Sequence, residues 1–159
     1  MSLAERLAGA TYRYPDHYEV DREKIREYAR SVKAVDPSSF DLRAAADLGY
    51  DGLLAPLTYI SVFGHKAISG FFEAVGVVIN DAQIVQVEQR LLFHRPVQEG
   101  DRLFCDVAVE SIRRAHGTDI IKTKQVVTNQ AGDIVQETLT TLAGRAGDEG
   151  EKGFTDATA

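Results

Sequence analysis

Residues 53–79 read LLAPLTYISVFGHKAISGFFEAVGVVI, and only Lys66 and Glu73 carry full charges in the stretch. A helix apolar on nearly every face has to be enclosed by the rest of its chain. His65 and Lys66 interrupt the run well before the roughly 18 uncharged residues that a membrane-spanning helix needs. The stretch therefore predicts a central buried helix over about residues 55–75, with no membrane span. Pro56 suits its first turn, where a missing N–H costs nothing.

Beyond Asn80 the apolar residues change to period two. In QIVQVEQRLLFHRPV, that spacing puts Val85, Val87, Leu91 and Phe93 on one side, with Gln86, Glu88, Arg90 and His94 on the other. RLFCDVAVESI turns Leu103, Cys105, Val107 and Val109 inward, and TDIIKTKQVVTN and DIVQETLTTLAGR follow as further strands. The segments VQEGD, His116 with Gly117, and NQAGD are turns, so the strands are expected to form an antiparallel meander. A twisted sheet curled around the apolar helix buries both surfaces together, which is an α+β hot-dog domain over residues 1–147. A sandwich with the helix merely resting on the sheet would leave one side of residues 53–79 in water. The stretch GDEGEKGFTDATA is polar, glycine-rich and acidic, and residues 148–159 read as a disordered tail.

Upstream, TYRYPDHYEVD predicts an extended arm. Asp21 caps a helix in which Ile25, Tyr28, Ala29 and Val32 share one face. Asp36 before Pro37 ends it, and residues 38–46 form a second short helix, with Ser39 or Asp41 near its start and Gly49 after it.

The chain has 159 residues, a net charge of −6 and a pI of about 5.2, which argues against nucleic acid or an anionic membrane as partner. Its start, MSLAERLAGA, lacks the pattern of a secretory leader. A single cysteine, Cys105, excludes an internal disulfide or a cysteine metal site and fits the cytoplasm. No His/Asp/Glu set has metal-ligand spacing, and there is neither a nucleophile elbow nor a glycine-rich phosphate loop. Neither metal nor cofactor is expected.

The stretch FHRPVQEGDRL, residues 93–103, is similar to the F-x-x-P-V-x-x-G-D-x-L stretch of MaoC-like hot-dog dehydratases and hydratases. Together with YRYPDHYEV, REKIREYA, GLLAPLT, IVQVEQ, AHGT, VTN and QETLTTLAGRAG, it resembles the actinobacterial A/C-type subunits of the (3R)-hydroxyacyl-acyl-carrier-protein dehydratase. AHGT, QETLTTLAGRAG and the short acidic tail lean towards the A-type. The resemblance implies a role in type II fatty-acid synthesis, on very long meromycolic chains carried by acyl carrier protein.

Catalytic members of that family carry D-x-N-P-I/L-H, whose Asp and His dehydrate the thioester by acid–base chemistry. With Pro37 as anchor, the Asp position falls on Ala34, the Asn on Asp36 and the His on Ser39. The Gly whose N–H would polarise the carbonyl at the start of the central helix falls on Leu57. The resemblance thus implies a subunit with no catalytic residues, paired with a catalytic hot-dog subunit. Its contribution would be an acyl tunnel lined by Tyr59, Ser61, Val62, Phe63, His65, Phe71 and Phe72. These residues read equally as ordinary core. A homodimeric acyl-thioester or lipid-binding protein is the alternative, and a homodimeric hydratase using Asp36 and His65 is a third. For both residues the plainer reading is structural, Asp36 as a cap and His65 as a packing residue.

Overall fold

The computed structural model describes residues 2–146 and 152–157. In chain order its elements are α1 (Leu3–Leu7), β1 (Thr11–Arg13), β2 (Tyr18–Glu19), α2 (Arg22–Ser31), α3 (Leu42–Asp47) and α4 (Ser61–Ala74). Then come β3 (Val77–Ile79), β4 (Ile84–Phe93), β5 (Arg102–Ala115), β6 (Thr118–Thr128), β7 (Ile134–Arg145) and β8 (Phe154–Asp156). The main sheet is antiparallel in the order β1-β5-β6-β7-β4, with β2 also paired to β5, and β3 and β8 form a separate ribbon.

The central helix is present but shorter than its apolar run. A 3-10 turn, Leu57–Ile60, leads into α4, and Val77–Ile79 leave the helix as a strand after Gly76, whose φ is +68°. Pro56 precedes the turn in an extended conformation, ψ 150°, and so stands outside the helix. Phe63, Ala67 and Phe71, spaced by four residues, are fully buried on one face of α4. That face meets the arm and β5: Phe63 packs edge-on against Tyr14 and stacks on Tyr18, while Phe71 meets Tyr12. Leu103, Cys105 and Val107 of β5 are buried as their alternation predicts.

The meander holds for β5, β6 and β7 but not for β4. Instead of pairing with β5, β4 crosses to the far edge and pairs with β7. The other edge of β5 is already taken by β1 and β2. The linker from β4 is held by the segment before α4, through Ala55 N–H to Val97 O and a Leu54–Gln98 bridge. A second correction concerns the faces of β4. A bulge at Val87, between Gln86 and Glu88, inserts one unpaired residue and shifts the phase. Gln86, Gln89, Leu91 and Phe93 therefore share the inner face, because they pair with Leu142, Thr140, Thr138 and Gln136. Val85 and Val87 are 59% and 58% exposed, not inward.

Asp21 caps α2, its carboxylate accepting from the N–H groups of Glu23 and Lys24. The expected second helix is split into a 3-10 turn, Pro37–Ser39, capped by Asp36, and α3, capped by Asp41. His116 and Gly117 both have positive φ, the geometry of a two-residue hairpin reversal. The disordered tail is corrected for residues 152–157: Phe154–Asp156 pair with Val77–Ile79, because Phe154 has an apolar seat to fill. Residues 147–151 and 158–159 lie outside the described residues.

Candidate functional site

Two cavities meet beside the start of α4, sharing Thr58 and Gln136 in their walls. The smaller, of about 560 Å³, is built on the Pro37–Ser39 turn and the segment before α4, with Phe93, His94 and Val97 opposite. Ala34, Asp36, Ser39 and Leu57, the residues singled out by the sequence resemblance, all line it. The side chains there have other work. Ser39 Oγ donates to Leu54 O at 2.7 Å, and Ser38 N–H and Oγ donate to the Asp36 carboxylate at 2.9 and 2.7 Å. Those two donors hold the Asp36 carboxyl below its usual range, so it stays ionised and capped. Ala34 offers only a methyl group. Leu57 is 64% exposed at the rim of the cavity.

The larger cavity, of about 920 Å³, runs along the other face of α4. Ser61, His65, Ile68 and Phe72 form its helix side, following the i, i+4, i+7 repeat that is turned away from Phe63, Ala67 and Phe71. Of the residues named in the sequence as a possible tunnel lining, Ser61, His65 and Phe72 border this cavity. Tyr59, in the turn before α4, and Phe63 and Phe71, on the opposite face of α4, are buried in the core, and neither they nor Val62 border it. Tyr59 OH lies 3.5 Å from Tyr18 OH, and burial raises the Tyr59 phenol well above its usual range. His65 and Asp36 stand in different cavities, so the pair that an unconventional hydratase would need is not brought together.

The sheet side of the larger cavity escaped the sequence reading. Cross-strand rows Leu91–Thr138–Gln125 and Gln89–Thr140–Thr123 lie under the helix. Gln125, Gln136, Thr138 and Thr140 are more than nine-tenths buried and line the space, and Thr123 is fully buried behind them. Gln125 Nε2 donates to Gly64 O at 2.8 Å, and Gln136 Nε2 to Thr138 Oγ1 at 3.2 Å. A Cβ at Gly64 would stand 3.3 Å from Gln125 Oε1, so a small residue lets that glutamine reach the helix backbone. The signal was present in TDIIKTKQVVT: Thr123 and Gln125 fall on the inward parity set by Ile121 and Val127. The helix side of the cavity is therefore mixed, with Ile68 and Phe72 standing among Ser61, His65, Ser69 and Glu73, and its sheet side carries the polar rows.

Cys105 faces the core, where burial first and the neighbouring Asp106 second push its thiol up to about 12. It stays a neutral thiol at physiological pH. Among the described residues no group of three or more His, Cys, Asp or Glu side chains is placed to hold a metal ion. Among the described residues no helix is long and apolar enough to cross a membrane.

The family model described as "FAS1-like, dehydratase domain region" matches residues 6–138. A UPF0336 protein of Mycobacterium leprae is 60% identical over the full length of both chains. A UPF0336 protein of Mycobacterium tuberculosis strain H37Rv is 58% identical, again over the whole of each. Among solved structures, the C-terminally truncated HadBC (3R-hydroxyacyl-ACP dehydratase) complex from Mycobacterium tuberculosis contains a similar chain. That chain is 43% identical with a TM-score of 0.77, and the match covers 86% of this chain and 96% of that one. A MaoC-like dehydratase matches with a TM-score of 0.80 at 40% identity, over 93% of this chain and 45% of its own.

Proposed function

Because this chain belongs to the FAS1-like dehydratase domain region family, we propose that it is the acyl-binding, non-catalytic subunit of a heterodimeric (3R)-3-hydroxyacyl-thioester dehydratase. The observation that carries the reading is the smaller cavity. Ala34 and Ser39, the residues that the resemblance sets at the acid and base positions, line it, and the Ser39 hydroxyl is committed to Leu54 O. In the proposed complex the catalytic subunit removes the C2 proton and protonates the 3-hydroxyl, which leaves as water to give the trans-2-enoyl product. This chain receives the hydrocarbon in the cavity along α4, and acyl carrier protein presents the thioester.

The outer edge of β4 supports pairing through the sheet. It has no strand partner among the described residues, and Val85 and Val87 are exposed on it. An unpaired strand edge of this length is a ready template for another strand. Pairing there would join two sheets into one and cover the open side of the larger cavity. A second copy of this chain could dock in the same way, which is the arrangement of a homodimeric lipid-binding protein.

Co-expression with a hot-dog subunit of the same organism that carries D-x-N-P-x-H tests the pairing. The expected product is a one-to-one complex that Val87→Lys disrupts, because the ammonium group would enter the joined sheet. A stable homodimer that ignores the catalytic subunit would favour the lipid-binding reading instead.

A further inference from the structure

The short segment 152–157 is fastened across one end of the larger cavity. Phe154 pairs with Ile79, Asn80 N–H donates to Gly153 O at 2.8 Å, and Gly153 N–H donates to Arg145 O at 2.8 Å. From α1, Arg6 donates to Gly76 O at 2.9 Å and forms an ion pair with Asp156. The Phe154 ring is buried and stacks on Phe72, with centroids 6.0 Å apart and an interplanar angle of 26°.

Two glycines make the seat for this one ring. A Cβ at Gly144 would stand 2.4 Å from the Phe154 ring, and a Cβ at Gly153 would stand 2.7 Å from Gly144 Cα. Neither position tolerates a side chain without displacing the ring or the ribbon. Phe72, held from behind by Phe154, lines the cavity, and so does Ala157.

The cavity follows α4 from Thr58 and Gln136, where it meets the smaller cavity, to Val77–Ile79 and Ala157. A helix of α4's 14 residues is about 21 Å long. A chain that enters beside Gln136 and lies along the helix therefore meets the β3–β8 ribbon with its tip. We propose that this ribbon is the end wall that sets the longest acyl chain accepted, with Phe154 as a positioning residue that holds Phe72 in the wall. This inference rests on the acyl-cavity reading above.

The test uses the complex with its catalytic subunit and saturated 3-hydroxyacyl thioesters of graded length. Phe154→Ala should move the length at which kcat/KM falls towards longer chains and leave the shortest substrates unchanged. Each additional methylene that finds room should add about fourfold. Phe154→Leu should restore the wild-type limit. Ala157→Leu, which adds bulk at the cavity without touching the ring seat, should shorten it, and this variant decides the matter if Phe154→Ala does not fold. A length limit that depends on this chain but is unmoved in both Phe154→Ala and Ala157→Leu would overturn the end wall alone. A limit set by the catalytic subunit without this chain would overturn the acyl-cavity reading itself.

Discussion

The two faces of α4 make opposite predictions for substitutions only five residues apart. Phe63 is 1% exposed, meets Tyr14 edge-on at 5.3 Å and stacks on Tyr18 at 5.4 Å. Truncating a buried phenylalanine to alanine costs about 3–5 kcal/mol, and two ring partners place this site in the upper part of that range. For a domain of this size each kcal/mol lowers the melting temperature by roughly 2–4 °C. Phe63→Ala should therefore melt about 8–20 °C below the wild type. Ile68 looks into the larger cavity, where added bulk extends into open space. Ile68 is also partly buried against the core, so Ile68→Trp should cost about 1 kcal/mol and lower the melting temperature by roughly 2–4 °C, well short of Phe63→Ala. In the complex it should depress turnover of long-chain substrates while sparing short ones. Thermal unfolding followed by circular dichroism, at fixed protein concentration, checks both. If Phe63→Ala melts with the wild type, or Ile68→Trp melts as low as Phe63→Ala, the division into a core face and a cavity face is wrong.

Further outcomes follow from single residues. Cys105, a neutral thiol below about pH 12, should resist alkylation at pH 8 in the native protein and label fully once unfolded. Rapid native labelling would contradict its burial. Asp36 has a folded-state pKa held below the usual carboxylate value by Ser38. Its stabilising effect is therefore present above about pH 4 and is lost as pH falls through the folded value. The stability gap between wild type and Asp36→Asn should narrow on acidification in urea titrations; a gap that widens would contradict the cap. Gln125→Leu should cost on the order of 1 kcal/mol in the same titrations, since it removes the donor to Gly64 O. An unchanged midpoint would show that this contact contributes nothing.

Local pattern carried the sequence reading where the physics is local. The apolar run at residues 53–79 predicts an enclosed helix, and the alternation of Leu103, Cys105 and Val107 predicts their burial. The bulge at Val87 was not legible, because one inserted residue reverses the parity without changing composition. Nor was the path of β4 to β7, which depends on the arm having already occupied the edge of β5. The ribbon at Phe154 was hidden in a stretch that is polar overall, where one aromatic ring decides the outcome. At the candidate site, the aromatic residues of α4 suggested a tunnel because apolar side chains suit both a core and a hydrocarbon channel. Only the orientation of the helix separates Phe63 and Phe71 from Phe72.

The central claim is that this chain provides the room for the acyl chain while its partner performs the acid–base chemistry. The direct measurement is turnover of a long-chain (3R)-3-hydroxyacyl thioester by the purified chain, by the catalytic subunit, and by their complex, assayed side by side. The account predicts no turnover by this chain alone and full activity only in the complex, abolished when the catalytic subunit's own Asp or His is replaced. Robust turnover by the carefully purified chain, with no partner present, would contradict it.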